Sequence, residues 1–236
     1  MSCFKKDNPS CATCSVRTDT IFSAFTKAEF DLLDNNKTYR SFKKGERVFS
    51  EGSEPKGLFC IFDGSVKITK IDEEGNEQIV RLAKYGNIIG YRALLCNDKY
   101  RASAIALEDV HICFFPKELY FQLLQSKPEM ATETIKKLTT DLRFAENMMM
   151  NIAKKHVKGR IAEILLILED FYGIYEKDQT INMTLKREDI GHLVGTTTET
   201  SIRVISEMKK EGLIDLIGKR VKILNREKIR ALSNHS

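Results

Sequence analysis

Two short helical patterns joined by one glycine, in the last quarter of the chain, constrain the fold more than any other feature. Residues 187–194 place apolar side chains on one side of a short helix, and Gly195 supplies the backbone freedom that a tight turn needs. The hydroxyl of Thr196 or Thr197 can cap a second helix over residues 198–211. This arrangement predicts the unit whose second helix enters the DNA major groove. The alternative is an amphipathic helical hairpin with a solvated polar face.

The second helix begins with side chains that suit DNA bases. Thr197, Thr198, Glu199 and Arg203 lie on its first turns. An arginine can donate two hydrogen bonds to guanine, and a glutamate can accept one from cytosine. Residues 182–236 hold 11 Lys and Arg against 7 Asp and Glu, so +4 of the chain's net +5 lies there. This charge favours a nucleic-acid partner.

A basic hairpin follows the second helix. Residues 213–217 and 221–224 are short β-type runs on either side of a glycine turn at 218–220. Lys219 and Arg220 stand at the predicted tip, where cationic side chains suit phosphates. The pattern predicts a wing beside the two helices.

The composition and motif content limit which classes of protein the chain can belong to. No run of about 18 apolar residues exists and the N-terminus lacks an apolar signal core, so we expect a cytoplasmic protein with no membrane partner. Its six cysteines are then expected to be free or metal-bound. No nucleophile elbow, P-loop or HExxH motif occurs, so no enzyme activity is predicted.

Short β-type runs alternate with glycine turns between Tyr39 and Phe115. The predicted strands cover residues 47–49, 57–62, 66–70, 78–82, 102–107 and 110–115, with a hairpin tip at 72–76. Such strands at regular spacing predict an antiparallel sandwich or jelly roll. Thr26 is expected to cap a short helix before it.

After Pro116 the pattern becomes helical, with apolar residues alternately four and three positions apart. This seam consists of Ala131, Ile135, Leu138, Leu142, Ala145, Met149 and Ile152. A heptad seam needs a partner helix, and a twofold homodimer is the commonest way to supply one. The alternative is packing against the chain's own β domain. Residues 153–158 are a predicted hinge, 159–175 a further helix and 182–185 a short strand.

Five motifs in this order resemble a known family. They are Gly64-Ser65-Val66-Lys67, Gly86-Asn87-Ile88-Ile89-Gly90, Gly159-Arg160-Ile161-Ala162, Arg187-Glu188-Asp189-Ile190-Gly191, and Thr198-Glu199-Thr200 with Arg203. Over nearly its whole length the chain resembles the cyclic-AMP receptor protein/FNR family of bacterial transcription regulators. The resemblance implies an α+β homodimer that binds a near-palindromic double-stranded operator and RNA polymerase.

The resemblance also implies a domain plan and base-reading residues. The expected parts are a cysteine-containing arm (1–20), a β-roll sensor domain (21–127), a dimerisation helix with hinge (128–156) and a winged helix-turn-helix domain (157–236). Glu199 and Arg203 match base-reading positions, and Thr198 matches an assisting one. Family members usually have an apolar residue at Ser201 and a small polar one at Ile202, and here the two are inverted. A β-roll interaction module that does not bind DNA is the remaining rival class.

The family's nucleotide pocket is altered in this chain. Its ribose-binding glutamate corresponds to Tyr91, after the loop that ends at Gly90, and its phosphate-binding Arg-Ser pair corresponds to Arg101 and Ala102. Two specific hydrogen-bonding groups are lost, so cyclic AMP is not the expected effector. These residues and Arg92 are candidates to line a pocket for another effector. The alternatives are that Arg101 is simply a solvated or salt-bridged residue, which is the favoured interpretation of that side chain, and that the regulator needs no ligand.

FNR-type members hold an iron–sulfur cluster on four cysteines. Cys11 and Cys14 match the family's C-x-x-C, and Cys113 matches its late-strand cysteine. Thr20 stands where a third N-terminal cysteine is expected, so Cys3 is the substitute candidate. An iron–sulfur cluster, a zinc ion, thiol redox chemistry and ordinary free cysteines remain alternatives. Cys60 is interpreted as a core residue.

Overall fold

The computed structural model describes residues 9–15, 17, 20–184 and 186–234. The chain divides into two compact units. The first comprises the described parts of residues 1–71 and 80–141, and the second comprises residues 72–79 and the described parts of 142–236. The predicted domain bounds remain predictions.

Two four-stranded antiparallel sheets form the centre of the first unit. The strands are β1 (Thr38–Phe42), β2 (Arg47–Phe49), β3 (Gly57–Asp63), β4 (Ser65–Ile71), β5 (Glu77–Lys84), β6 (Ile88–Ile89), β7 (Ser103–Ala106) and β8 (Val110–Pro116). One sheet has the order β1-β8-β3-β6 and the other has the order β2-β7-β4-β5. Leu58, Ile61 and Ile112 are fully buried among these strands. This arrangement confirms the predicted β roll, although β1 and β6 were not predicted.

Four helices accompany the roll: α1 (Lys27–Asn36), α2 (Tyr91–Leu95), α3 (Lys117–Ser126) and α4 (Pro128–Lys154). The first helix begins at its predicted cap, Thr26, where the Glu29 carboxylate accepts hydrogen bonds from the Thr26 amide and hydroxyl.

The predicted hairpin tip before β5 is also confirmed, because the Asp72 carboxylate accepts hydrogen bonds from the Glu74 and Asn76 amides.

Within the described residues, the second unit contains the remaining helices and two small two-stranded hairpins. Its elements are α5 (Val157–Tyr172), β9 (Ile174–Tyr175), β10 (Thr180–Ile181), α6 (Arg187–Val194), α7 (Thr198–Lys210), β11 (Ile214–Ile217), β12 (Arg220–Ile223) and α8 (Arg226–Asn234). Ile161, Leu165, Ile190 and Ile205 form part of its core. These elements make a winged helix-turn-helix, as predicted.

Three boundaries differ from prediction. The helix predicted to reach Tyr175 ends at Tyr172, because Gly173 has φ +73° and turns the chain into β9. The strand predicted at 182–185 is wrong: residues 182–184 are not in a strand, and residue 185 lies outside the described residues. The pairing strand is Thr180–Ile181. The break between α4 and α5 contains two residues, Lys155 and His156, so it is shorter than the predicted hinge.

Within the described ranges, no helix is both long enough and apolar enough to cross a membrane.

Candidate functional site

The turn between α6 and α7 has the predicted geometry. Gly195 adopts the left-handed conformation with φ +65°, which favours glycine. The Thr197 hydroxyl caps α7 by accepting a hydrogen bond from the Thr200 amide at 3.2 Å. A Cβ atom at Gly191 would stand 3.1 Å from the Thr196 carbonyl oxygen, so this glycine allows the close approach. Thr197 therefore has a structural role at the position where a base contact was also predicted.

One face of α7 is open to solvent and carries the predicted reading residues. Glu199 and Arg203 are exposed, whereas Thr198 is half-buried. Val204, Ile205 and Met208 lie on the opposite face, and all three are buried. The structure therefore presents a glutamate and an arginine one turn apart on a single outward surface.

The inverted pair on α7 has a physical explanation. Ser201 is fully buried, and its hydroxyl lies 2.9 Å from the carbonyl oxygens of Arg187 and Thr198. Its polar atom is thus hydrogen-bonded inside the unit. Ile202 takes the outward position beside Arg203 and remains 47% exposed. The helix keeps its buried face while placing an apolar side chain on the reading surface.

Glu207 is a neighbour of the reading surface that the sequence interpretation missed. Its carboxylate pairs with Arg203 Nη1 at 2.8 Å, one helical turn further along. The sequence does contain a signal for this pair, because opposite charges four residues apart on a helix are neighbours. The predicted contact of Arg203 with a base would require this exposed ion pair to open.

The two cationic side chains of the wing, Lys219 and Arg220, differ in exposure and contacts. Gly218 and Lys219 form the turn, and Lys219 is exposed at the tip. Arg220 was predicted in the turn but lies in β12, where its guanidinium stacks over the Tyr175 ring at 4.3 Å. Asp178 lies 3.9 Å from the same guanidinium. Lys219 is therefore the less constrained of the two cationic side chains.

The predicted seam occupies one long helix, α4. Ile135, Leu142, Met149 and Ile152 are between 45% and 68% exposed, and Ala145 is exposed as well. Leu138 is the exception, because it packs in part against the core of the first unit. Ala131 is half-buried. Most of the seam is thus an apolar stripe on the surface of this chain.

The residues predicted to line an effector pocket have separate surroundings in the structure. Gly90 precedes α2 with φ +87°, and the Tyr91 side chain after it is fully buried. Arg101 lies at the surface and pairs with Asp98 at 2.7 Å, while Arg92 is exposed and Ala102 half-buried. The structure does not bring the polar groups of Tyr91 and Arg101 together.

Tyr91 instead belongs to a partly buried network of charged side chains that includes α4. Its hydroxyl donates to Asp141 at 2.8 Å, and Arg81 pairs with the same carboxylate oxygen at 2.8 Å. Lys137 approaches the other oxygen at 3.1 Å. Burial raises the pKa of Tyr91, so its hydroxyl stays protonated and serves as a donor. Asp141 was not predicted, since only the tertiary structure brings it to this position.

Four thiols line one apolar cavity beneath α1. Cys11, Cys14, Cys60 and Cys113 surround a space of about 30 Å³, together with several phenylalanine rings. Three of them, Cys11, Cys14 and Cys113, were candidate ligands, and the fourth candidate, Cys3, lies outside the described residues. Cys60 is a buried core residue, as interpreted from the sequence, and it pairs directly with Cys113 across β3 and β8.

Burial favours the protonated thiol at three of these residues, Cys11, Cys60 and Cys113. Burial raises the pKa of Cys11 to about 12 and that of Cys113 to about 11, although the Lys37 ammonium opposes both shifts. Burial also raises the pKa of Cys60 well above its ordinary value. Among the described residues, no three His, Cys, Asp or Glu side chains already converge closely enough to hold a metal ion.

Two family models match the chain. The one described as a cyclic nucleotide-binding domain matches residues 39–127, and the one described as a Crp-like helix-turn-helix domain matches residues 159–232. These two ranges fall on the β roll and on the winged helix-turn-helix.

Regulatory proteins are similar to the chain over almost its full length. Electron transport regulator A of Shewanella oneidensis is 27% identical over 228 residues, covering 96% of this chain and 91% of that protein. The fumarate and nitrate reduction regulatory protein of Salmonella typhimurium is 28% identical over 230 residues, with the same coverage. The solved structure of FixK2 from Bradyrhizobium japonicum has a TM-score of 0.76 at 22% identity, covering 85% of this chain and 98% of that one. That structure shares the fold.

Proposed function

Because the chain belongs to the CRP/FNR family of DNA-binding transcription regulators, we propose that it acts as a homodimer that reads a near-palindromic operator. The observation that carries the proposal is the outward face of α7. Glu199 and Arg203 lie there side by side, on a helix whose other face is buried in the unit. Such a helix can enter the major groove while its fold remains intact.

The roles of the contact residues follow from their chemistry. Arg203 donates two hydrogen bonds to a guanine after release from Glu207, and Glu199 accepts from a cytosine. Thr198 assists at the helix N-terminus, where backbone amides also favour a phosphate. Lys219 at the wing tip and Arg220 beside it bind the DNA backbone and add affinity without sequence preference.

The exposed stripe on α4 supports the homodimer. Four large apolar side chains at heptad spacing face solvent in a single chain, which is unfavourable unless a second helix covers them. Two copies related by a twofold axis place their recognition helices about 34 Å apart, one turn of DNA. A palindromic operator follows from that symmetry.

The proposed control runs from the β roll to the recognition helices. A signal at the roll or at the cysteines changes the packing of the α4 seam, and the break at Lys155 and His156 re-aims the winged domains. RNA polymerase is the expected partner of the DNA-bound dimer, in the cytoplasm. The buried Tyr91–Asp141 bond supports an effector other than cyclic AMP, since a tyrosine bonded to α4 replaces the ribose-binding carboxylate.

An operator selected from random duplexes allows a direct test with Arg203→Ala. We expect the variant to lose about 5- to 150-fold in specific affinity for each subunit that binds, since one bidentate base contact contributes about 1–3 kcal/mol. Arg230→Ala is the matched control, because Arg230 is exposed on α8 and its loss removes the same charge. Affinity is measured by gel-shift titration at fixed salt, and light scattering checks the dimer. Wild-type affinity in Arg203→Ala would refute the assignment of the reading face.

A further inference from the structure

The outward face of α7 carries one large apolar side chain, Ile202, beside its charged residues. We propose that Ile202 contacts the C5-methyl group of a thymine in the major groove and so fixes an operator position next to the bases that Glu199 and Arg203 read. The inference rests on the proposed function, because it assigns a further specificity-determining residue to the same surface.

The rotation of α7 about its own axis is fixed by the residues that it buries. They follow the i, i+3, i+4, i+7 pattern of a regular amphipathic helix and are Ser201, Val204, Ile205 and Met208. The Ser201 hydroxyl lies 2.9 Å from two backbone carbonyl oxygens, so this serine leaves no unpaired polar group in the interior. Ile202 is therefore not a displaced core residue, and the helix directs its side chain away from the unit.

The position of Ile202, more than its exposure, points to a base contact. Isoleucines exposed singly occur on most protein surfaces, so an exposed fraction of 47% identifies no partner by itself. Successive helix residues are about 100° apart, which places Ile202 about 60° from Glu199 around the axis. Ile202, Glu199 and Arg203 are all exposed and lie within one sector of about 100°. Ile202 thus belongs to the surface that faces the groove.

The neighbours of Ile202 on this face leave its side chain accessible. Thr198 lies one turn before it and Ser206 one turn after it, and both have short side chains. The Ser206 hydroxyl donates to the Ile202 carbonyl oxygen at 2.8 Å, so it folds back onto the helix backbone. Glu207, the partner of Arg203, lies about 140° around the helix from Ile202. The side chain of Ile202 therefore stands clear of the ion pair.

Thymine is the base that offers an apolar group in the major groove, its C5-methyl. The side chain of isoleucine has no hydrogen-bonding atom, so it cannot replace the water that a polar base edge loses on contact. The Cβ atoms of Glu199 and Ile202, three residues apart, are about 5–6 Å apart. Base pairs are about 3.4 Å apart along the duplex. The thymine consequently lies within about two base pairs of the cytosine that Glu199 contacts.

Deoxyuridine isolates this contact, because it pairs like thymidine and lacks only the C5-methyl group. An operator is selected from random duplexes with the wild-type chain, and each thymine is then replaced in turn by deoxyuridine in both half-sites. At one position we expect affinity to fall about fourfold for each subunit, the effect of one methyl-sized group, and so about 15-fold for a dimer. Affinity is measured by gel-shift titration at fixed salt.

Three variants assign the methyl effect to Ile202. Ile202→Ser is expected to bind the thymine and deoxyuridine operators equally, whereas Ile202→Val keeps a branched apolar side chain and should retain most of the difference. Ile174→Ser is the matched control, since Ile174 on β9 is 45% exposed and lies outside α7. Each result is a ratio of two affinities of one preparation, so a partial loss of folded protein does not alter it.

The two levels of the proposal fail in different ways. Equal wild-type affinity for all thymine and deoxyuridine operators would overturn the role of Ile202, and so would a methyl effect of unchanged size in Ile202→Ser. Either result leaves sequence-specific binding intact. If the proposed function itself is wrong, the wild-type chain will bind all duplexes equally and select no operator, and the role of Ile202 is then refuted with it.

Discussion

The Asp141 carboxylate is the shared partner of three polar side chains in the first unit. Asp141 on α4 accepts from the Tyr91 hydroxyl and pairs with Arg81 and Lys137, and its side chain is only 11% exposed. A buried cation left without its partner costs far more than the intact pair contributes. Burial and the neighbouring Arg81 already lower the pKa of Lys137. The network therefore depends on Asp141 more than on any one of its partners.

We expect Asp141→Asn to destabilise the protein by about 3–5 kcal/mol, because it leaves two cations uncompensated. Tyr91→Phe removes one hydrogen bond to a charged group and is expected to cost about 1.5–3 kcal/mol. Urea unfolding of both variants gives the comparison. Asp98→Asn, which removes an exposed carboxylate paired with Arg101, should change stability little. Equal effects of Asp98→Asn and Asp141→Asn would contradict the network.

Helix α1 begins with a capping arrangement that depends on ionisation. Partial burial favours a raised pKa for Glu29, but hydrogen bonds from Lys127 and from the Thr26 amide and hydroxyl outweigh it and lower the pKa below its ordinary value of 4.5. The Lys127 ammonium lies 2.8 Å from the carboxylate and so joins α1 to the end of α3. The helix N-terminus also favours a negative charge.

The pH dependence of Glu29→Gln follows from that lowered pKa. The native carboxylate stabilises the fold at pH values above its unfolded pKa, and this contribution is lost as pH falls through the folded pKa. We therefore expect wild-type protein to melt at a higher temperature than Glu29→Gln at pH 7, with the gap closing below about pH 4.5. Asp31→Asn, exposed on the same helix, is the control. A gap that stays constant down to pH 3 would contradict this account.

Sequence periodicity predicted the long elements because their signals are local. The cap at Thr26, the seam on α4 and the turn at Gly195 each depend on residues within a few positions of one another. The end of α5 was missed because Ile174 and Tyr175 continue the apolar pattern beyond Gly173. Strand β1 was missed because most of its side chains face solvent and give no apolar signal.

Sequence patterns predicted which candidate site residues lie together only where those residues belong to the same helix or strand. Glu199 and Arg203 lie on one helix, so spacing alone placed them on one face. The pairing of Cys60 with Cys113 depends on the register of two strands distant in sequence, and the bonding of Tyr91 to Asp141 depends on how α4 packs. Single-sequence patterns contain no register information of this kind.

The α4 seam connects the two proposed activities of the molecule, because it follows the proposed sensor in the chain and is the proposed dimer contact. The exposed apolar stripe has to be covered for two recognition helices to act together. Because each phosphate contact releases counterions, a dimer should show about twice the salt dependence of a monomer on the same operator. Salt dependence therefore reports how many subunits bind the DNA, independently of which bases they read.

Leu142→Glu places a charge in the middle of that seam and is expected to yield a monomer. Asn147→Glu is the matched control, since Asn147 is exposed about 140° around the helix from Leu142. We expect light scattering to show a dimer for the wild type and Asn147→Glu, and a monomer for Leu142→Glu. The slope of log affinity against log salt should fall to about half in the monomer, because half the phosphates are contacted. An unchanged slope and a retained dimer in Leu142→Glu would mean that another surface joins the subunits, and the heptad seam would then need a different explanation.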